Sequence, residues 1–440
     1  MHSILPITIK EMKKTPNLNN EAPKCTEALF QEMRHLPPYE QRDSEMCMNH
    51  FDEEVIEGWY CARQYVLKLV DNNGNMGAEG IAPSSSDHVH VVIHYNNNPL
   101  ALYIARQVAL VAHFPNFKEG DGKENAPKNS TKITILYNRN KHSDILDELK
   151  KEEYLCNLPR VCKCVFVDGN TGEGIGCPIN GQSYIDIELE LVAYDKEEDF
   201  GKYTPKRMTT NSLESVVIDN KTLLEIARSK YAHEMDVRTA RRVNMAYKVG
   251  ADIDNLPPDD PNTAERYEKA LLYFCYQQPQ AETERKWGEI CSDKENDKTL
   301  AYQIGLRNKL SNVFCSDCFS TRVKSVINES MRKRLHELLQ NDEKELSSDI
   351  KKHLQVLARC EHARWNVEKL ILGFFSYTAE EQWMYAKKFG SERSSYRKTL
   401  KDKGHHINLC SYQDLQRIDP GNMKYDCFLM LAIPKILRSY

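Results

Sequence analysis

This sequence has no run of about eighteen apolar residues, the minimum for a helix that crosses a bilayer, so no membrane span is expected. It also lacks a charge excess of either sign. Its 60 Lys and Arg face 64 Asp and Glu, for a formal net charge of -4, whereas a dedicated nucleic-acid binder is expected to be strongly basic. The opening residues, MHSILPITIKEMKK, have no long apolar core of the kind a secretory signal carries. The 14 cysteines follow no regular spacing, which fits reduced thiols better than a disulfide framework. A cytoplasmic location is therefore expected, with no nucleic-acid partner.

Catalytic signatures are missing as well. There is no Gly-x-Ser-x-Gly elbow, no His-Glu-x-x-His, no kinase set and no Gly-Lys-Ser/Thr phosphate loop. Cys315-Ser-Asp-Cys318 stands without a second pair at zinc spacing. His88, His90 and His94 share one strand face, a metal-compatible spacing, but no carboxylate cluster accompanies them, so half-buried histidines are the simpler reading. No catalytic and no metal-ligating residue is assigned.

A chain of 440 residues has room for several domains. Residues 1–80 read as a Pro-punctuated arm, with a short helix at Glu27–His35, followed by an amphipathic helix over Phe51–Val70; Asp71–Asp87 has the composition of a linker. Residues 81–215 carry an α/β pattern. His88–His94 is a β-branched strand, Asn98 and Pro99 are a helix cap and first-turn proline, and Leu100–His113 is an apolar helix. Lys132–Tyr137 and Val161–Val167 are further strands with a helix at His142–Lys151 between them, and Tyr184–Tyr194 alternates as a longer, half-exposed strand. Strand and helix in alternation imply a Rossmann-like parallel sheet. Residues 216–349 read as a mainly α-helical connector, with helices over Leu223–Val249, Ala264–Tyr276, Lys298–Val313 and Arg322–Leu339. Leu357–Phe374 is a helix stopped by Gly373, with Ala358, His362, Trp365 and Lys369 on one stripe. Arg364 and Glu368, four apart, read as a surface ion pair.

In the α/β segment, the turn Tyr95-Asn-Asn-Asn-Pro99 stands where a dinucleotide fold keeps its glycines, and the second strand ends in Tyr137-Asn-Arg-Asn-Lys141 rather than in a ribose-binding acid. The layout resembles the nucleotide-binding domain of TrkA-type potassium-transport regulators without the glycine motif. An anion or nucleotide site here would use Asn97, Asn98, Arg139 and Lys141. The Gly-rich loop Asp168–Gly176 reads as a surface loop.

The run Glu361–Phe374, EHARWNVEKLILGF, resembles the signature helix of the ryanodine-receptor-type (RyR) repeat. Tyr377, Lys401, His406-Ile-Asn-Leu409, Tyr412-Gln-Asp-Leu415 and Lys424-Tyr-Asp426 follow in the order that the repeat shows. Ile407 replaces the usual Pro, and Phe374 a common Trp. The match covers residues 350–440, and the surroundings of Trp287 faintly resemble part of a second, degenerate unit. The resemblance implies a small helical binding module, known from prokaryotic regulatory proteins, whose pocket would be built by His362, Trp365, Lys369, Tyr377, His406 and Tyr412.

The expected architecture is thus a Rossmann-like parallel-sheet domain, a mainly α-helical connector and a small helical RyR-type domain. The expected function is ligand sensing without turnover, the ligand being nucleotide-like and no obligatory cofactor being implied. Two alternatives stay open: an enzyme that processes a nucleotide or NAD(P) in the Rossmann-like domain, and a scaffold for a transporter or effector protein. A homo-oligomer is compatible with each.

Overall fold

The computed structural model describes residues 61–69, 81–120, 127–151, 154–175, 181–204, 215–228, 238–254, 311–319 and 348–431, with isolated helical positions between 283 and 308. The helices expected at Glu27–His35, Ala264–Tyr276 and Arg322–Leu339, and the unit around Trp287, lie outside them. None of the described helices is long and apolar enough to cross a membrane.

Five strands form one sheet: β1 (His90–Tyr95), β2 (Thr131–Asn138), β3 (Lys163–Asp168), β4 (Ile187–Tyr194) and β5 (Val216–Ile218). Their order is β3-β4-β2-β1-β5 and every pair is parallel, so all five carboxyl ends share one edge. Parallel neighbours need crossover connections, and helix α1 (Pro99–Val111) supplies the one between β1 and β2. Asn98 caps it through a 3.0 Å bond from the Leu100 amide, and Pro99 opens its first turn, as the sequence implies. Every α1 residue from Leu100 to Val111 is buried. A helix apolar on all sides must be covered on all sides: one face meets the sheet, and the other meets the long helix described below.

In this part of the chain the structure corrects three sequence expectations. The helix read over His142–Lys151 is only Ile145–Leu149 (α2), because Asp144 caps the chain two residues after His142. A short helix α3 (Leu158–Val161) then leads into β3. The strand expected to be longer and half-exposed, Tyr184–Tyr194, is β4, which lies between β2 and β3 and is largely buried. Its alternating acids are matched across strands rather than by water: Glu190 takes Lys132 at 2.7 Å, Thr134 and Tyr203, and Glu188 takes Lys163. The connector expected to be helical from residue 216 opens with a strand, β5. A 3-10 turn over Glu197–Lys202 puts Phe200 on the sheet's second face, and β5 pairs with β1 beyond residue 215. Within Leu223–Val249 the described residues are helical, in α4 (Asn220–Arg228) and α5 (Arg238–Asp254).

Helix α6 (Ser348–Ile371) forms the third layer, packed on α1, α3 and the last described helix. Gly373 adopts φ 86°, and the Phe374 amide returns to the Lys369 carbonyl at 2.8 Å, closing the helix where the sequence places its stop. The chain continues through β6 (Phe375–Ser376), α7 (Ala379–Lys387), α8 (Gly390–Asp402), β7 (His405–His406), α9 (Tyr412–Ile418) and α10 (Pro420–Leu431). β6 and β7 pair in parallel. Val367, Leu370 and Ile371 of α6 belong to the same core as α1 and the sheet, so this C-terminal module is fastened to the α/β layer through a shared interior. Each such fully buried aliphatic side chain is worth roughly 1.5–3 kcal/mol of burial. Arg364 corrects the surface-pair reading. It is fully buried between Glu361 and Glu368, because α6 is covered both by the α/β layer and by its own module.

Candidate functional site

Two regions collect the residues that the sequence singles out. At the carboxyl edge of the sheet, three of the four residues of the expected anion site, Asn98, Arg139 and Lys141, are bonded within the fold. The Asn98 side chain caps α1, and the Ala101 amide bonds to the Asn98 carbonyl at 3.0 Å; with Pro99 lacking an N–H, little donor capacity remains at that helix start. Asn97 is exposed, with φ 66°. Arg139 Nη2 donates to Asp168 at 2.9 Å and to the Ala193 carbonyl at 3.0 Å, while its Nε lies 3.1 Å from Asp195. Its hydrogen bond to Asp168 raises the guanidinium pKa against the opposing effect of burial, and the same contact lowers that of Asp168. Lys141 bonds Glu197 at 2.7 Å. The carboxyl ends of β3 and β4 therefore hold Arg139.

The same edge carries a cluster that sequence reading missed. Tyr95, the last residue of β1, donates its hydroxyl to Glu148 at 2.6 Å, and Glu148 also receives His142 Nδ1 at 2.9 Å. The imidazole lies 4.5 Å from the tyrosine ring, and its Nε2 is buried without a partner among the described residues. Two strand ends and α2 bring these three together, a proximity invisible in linear spacing.

The histidine strand face also resolves into separate contacts. His90 bonds Thr134 and Ser215, and burial, with Lys132 nearby, depresses its pKa to about 4. His94 meets Phe200 edge-on.

In the C-terminal module, five of the six expected pocket residues gather in one cluster. His362 and Trp365 stack with centroids 5.9 Å apart; His406 meets Trp365 edge-on at 4.9 Å; Tyr412 lies 5.8 Å from His362. Lys369 Nζ is 5.5 Å from the Trp365 centroid and is held by Glu368 at 2.7 Å. His362 Nε2 donates to the Cys410 carbonyl at 2.9 Å, beside Asn366 Nδ2 at the same distance. Burial lowers the His362 pKa to about 4 and that of His406 further, with Lys401 and Lys369 adding to the effect on His406. Both imidazoles are neutral at physiological pH, and Lys369 is the charged member of the group, already paired. Trp365 and Lys369 are its half-buried members. Tyr377 stands apart, in an apolar group with Tyr385, Leu400 and Ile407.

Behind this cluster lies a cleft of about 450 Å³, set between the C-terminal module and the amino edge of the sheet. Glu119 and Tyr184 line it from the α/β layer; Ser376, Tyr377, Cys410 and Asp414 line it from the module. Direct bonds join the two sides. The Tyr184 hydroxyl lies 2.8 Å from Ser376 Oγ, which donates to the Leu409 carbonyl at 2.8 Å, and the Tyr412 amide donates to Glu119 Oε1 at 3.0 Å. Burial pushes the Tyr184 phenol up to about 12, so it is a neutral hydrogen-bonding group. Tyr377 thus reaches the cleft from which the other five expected residues are separated by the Leu409–Cys410 wall. Glu119, Tyr184 and Asp414 were not singled out in the sequence. They come from segments nearly three hundred residues apart, and nothing in their local spacing marks them.

Searches against protein-family models, curated proteins and solved structures return no match to this chain.

Proposed function

We propose that this protein is a regulatory ligand sensor in which the C-terminal module and the α/β layer hold a small molecule between them. The observation that carries the reading is the cleft itself. Its volume suits a compact metabolite, and its two walls come from the α/β layer and the module, which meet beside it through Tyr184 and Ser376 and through Tyr412 and Glu119. A ligand that spans both walls favours one packing of module on sheet, which is the differential affinity a sensor needs. The RyR-type resemblance supports a binding role for this module. In that light Trp365 and its neighbours form the back wall, whose position follows the Leu409–Cys410 strip. A nucleotide, the ligand class implied by the resemblance, would instead have to bind outside the cleft, at the aromatic cluster, by stacking on Trp365 with Lys369 released from Glu368.

The test is thermal stability of the full chain against nucleotides, dinucleotides and small amines, repeated with Gln413→Trp. Gln413 is exposed on the cleft wall, so the indole fills the space with little effect on the core. A ligand at a hundredfold its Kd adds roughly 2.7 kcal/mol to the folded state. A stabilising compound whose effect vanishes in Gln413→Trp is the expected result. A compound that still stabilises this variant but not Trp365→Ala places the site at the aromatic cluster and overturns the cleft.

A further inference from the structure

Trp383 and Phe389 are the large aromatic side chains that stand most open among the described residues, at 57% and 73% exposure. Both belong to the corner where α7 turns into α8. The fold does not require Phe389 there. It occupies the N-cap of α8, where Ser, Thr, Asp or Asn would supply a side-chain acceptor, and it makes no capping bond. The helices before and after are capped in the ordinary way, by Thr378 and by Ser411. Each ring also carries a cation on its face. Lys387 Nζ lies 3.3 Å from the Trp383 centroid, and the Arg393 guanidinium lies 5.3 Å from that of Phe389 and 5.1 Å from that of Tyr385. Neither cation has a carboxylate partner among the described residues; Arg393 bonds the Lys388 carbonyl at 2.6 Å instead. The stretch around them, residues 379–403, holds seven Lys and Arg against four Asp and Glu, in a chain whose net charge is -4.

We propose that this corner docks the protein on an anionic lipid surface. The occupant must meet apolar rings and cations side by side, and a charged bilayer interface offers both. Phe389 enters the acyl boundary, the indole of Trp383 lies at headgroup depth, and Lys387 and Arg393 meet lipid phosphates. The form of the corner selects among anionic partners. Phe389 stands in the short turn between two helices, and neither it nor Trp383 lines the cleft, so an acidic peptide would find no groove in which to cover the rings. A bilayer closes around such a projection by itself. A nucleic acid could stack on the rings, but its affinity grows with the number of phosphates neutralised, and the two cations at the rings are few for that. The attachment is reversible, because two rings and two cations fall far short of the hold of a spanning helix.

The experiment is co-sedimentation of the full chain with vesicles of phosphatidylcholine and phosphatidylglycerol, at about seven to three, and with vesicles of phosphatidylcholine alone. The parent chain is expected to bind the anionic vesicles and to bind the neutral ones at least about tenfold more weakly. Phe389→Ser separates docking from folding, because serine supplies the missing cap: its melting temperature should rise while its vesicle affinity falls about tenfold. Lys387→Gln, at an exposed position, should weaken binding to the anionic vesicles with little effect on melting. The emission of Trp383 should shift to the blue on binding, a change that Trp383→Phe removes. Affinity that is unchanged in both Phe389→Ser and Lys387→Gln overturns the assignment, and so does equal binding to neutral vesicles. No vesicle binding overturns it as well; capture of single-stranded DNA or of a polyglutamate peptide, lost in Phe389→Ser, would then give the corner to a nucleic acid or to an acidic protein.

Discussion

Arg364→Met tests whether the buried charge network on α6 is what the packing makes it. Arg364 Nη2 lies 2.9 Å and Nε 3.0 Å from Glu361, and Nη1 lies 2.5 Å from Glu368, with all three side chains fully buried. Ser311 adds a bond to Glu368, and Lys369 pairs with its other oxygen. Methionine matches the arginine stem but leaves two carboxylates in the interior short of their shared cation. Loss of one member of a buried network costs roughly 3–5 kcal/mol, far beyond the few tenths of a surface pair. The pH dependence follows from Glu368. Burial alone would raise its pKa, but Lys369 and Arg364 together outweigh that and hold it below its usual 4.5. A depressed folded-state pKa gives stability that is present above the unfolded value and is lost as the pH falls through the folded one. Without Arg364 the burial effect gains on Lys369, and Glu368 ionises with more difficulty. The variant's deficit should therefore be largest at pH 7 and shrink toward pH 4.5, as its carboxylates take up protons. Urea unfolding of both proteins followed by tryptophan emission at several pH values measures this. Adding Glu361→Gln and Glu368→Gln to Arg364→Met should recover much of the loss, because a network removed whole leaves no stranded charge. A deficit below about 1 kcal/mol, or one that is the same at pH 7 and pH 4.5, refutes the reasoning.

Three further outcomes are expected. His362 has a folded-state pKa of about 4 against an ordinary 6.5, so its contribution is present above pH 6.5 and is lost by roughly 3 kcal/mol as the pH falls to 4; His362→Gln, which can still donate to the Cys410 carbonyl, should flatten that part of the stability profile in urea titrations. Gly181→Ala should cost more than ~2 kcal/mol in the same assay, since the position holds φ 73° and an added Cβ would stand 2.3 Å from the Lys163 nitrogen. Tyr184→Phe should cost about 1 kcal/mol and speed hydrogen exchange at Ser376 and Leu409, where its hydroxyl joins the two walls of the cleft.

The α/β layer was legible in the sequence where local rules and tertiary environment agree. The β-branched runs at β1 and β2 are buried strands and that at β3 is a half-buried edge strand, and Asn98-Pro99 is a cap and first turn because the same two residues do both jobs in any helix. β5 escaped because Val216–Ile218 is too short to show a period, and its strand character comes from pairing with β1. β4 was found but misplaced, since Glu188 and Glu190 produce the alternation of a wetted face while spending their charges on neighbouring strands. Arg364 failed for the same reason: a sequence shows a charge and its spacing but not which face is covered. In the module, the spacing of His362, Trp365 and Lys369 did place them side by side, as i, i+3 and i, i+4 neighbours must be. The cleft could not be read at all, because its lining is assembled only when Glu119 meets α9.

The aromatic cluster and the cleft are two sides of one wall. The Cys410 carbonyl takes donors from both His362 and Asn366, and the neighbouring Leu409 carbonyl takes Ser376 on the cleft side. On the sensor reading, a ligand that draws Tyr184 and Ser376 together would pull on the Leu409 carbonyl that both bond, next to the Cys410 carbonyl held by His362 and Asn366 of α6. That helix carries Val367, Leu370 and Ile371 into the common core, so movement of the wall is opposed by close packing and is favoured to be two-state rather than graded. On the sensor reading the coupling would be reciprocal: whatever shifts α6 on α1 would change affinity in the cleft by the same factor that the ligand shifts the helix. Trp365, half-exposed against this wall, is the place where either event becomes visible.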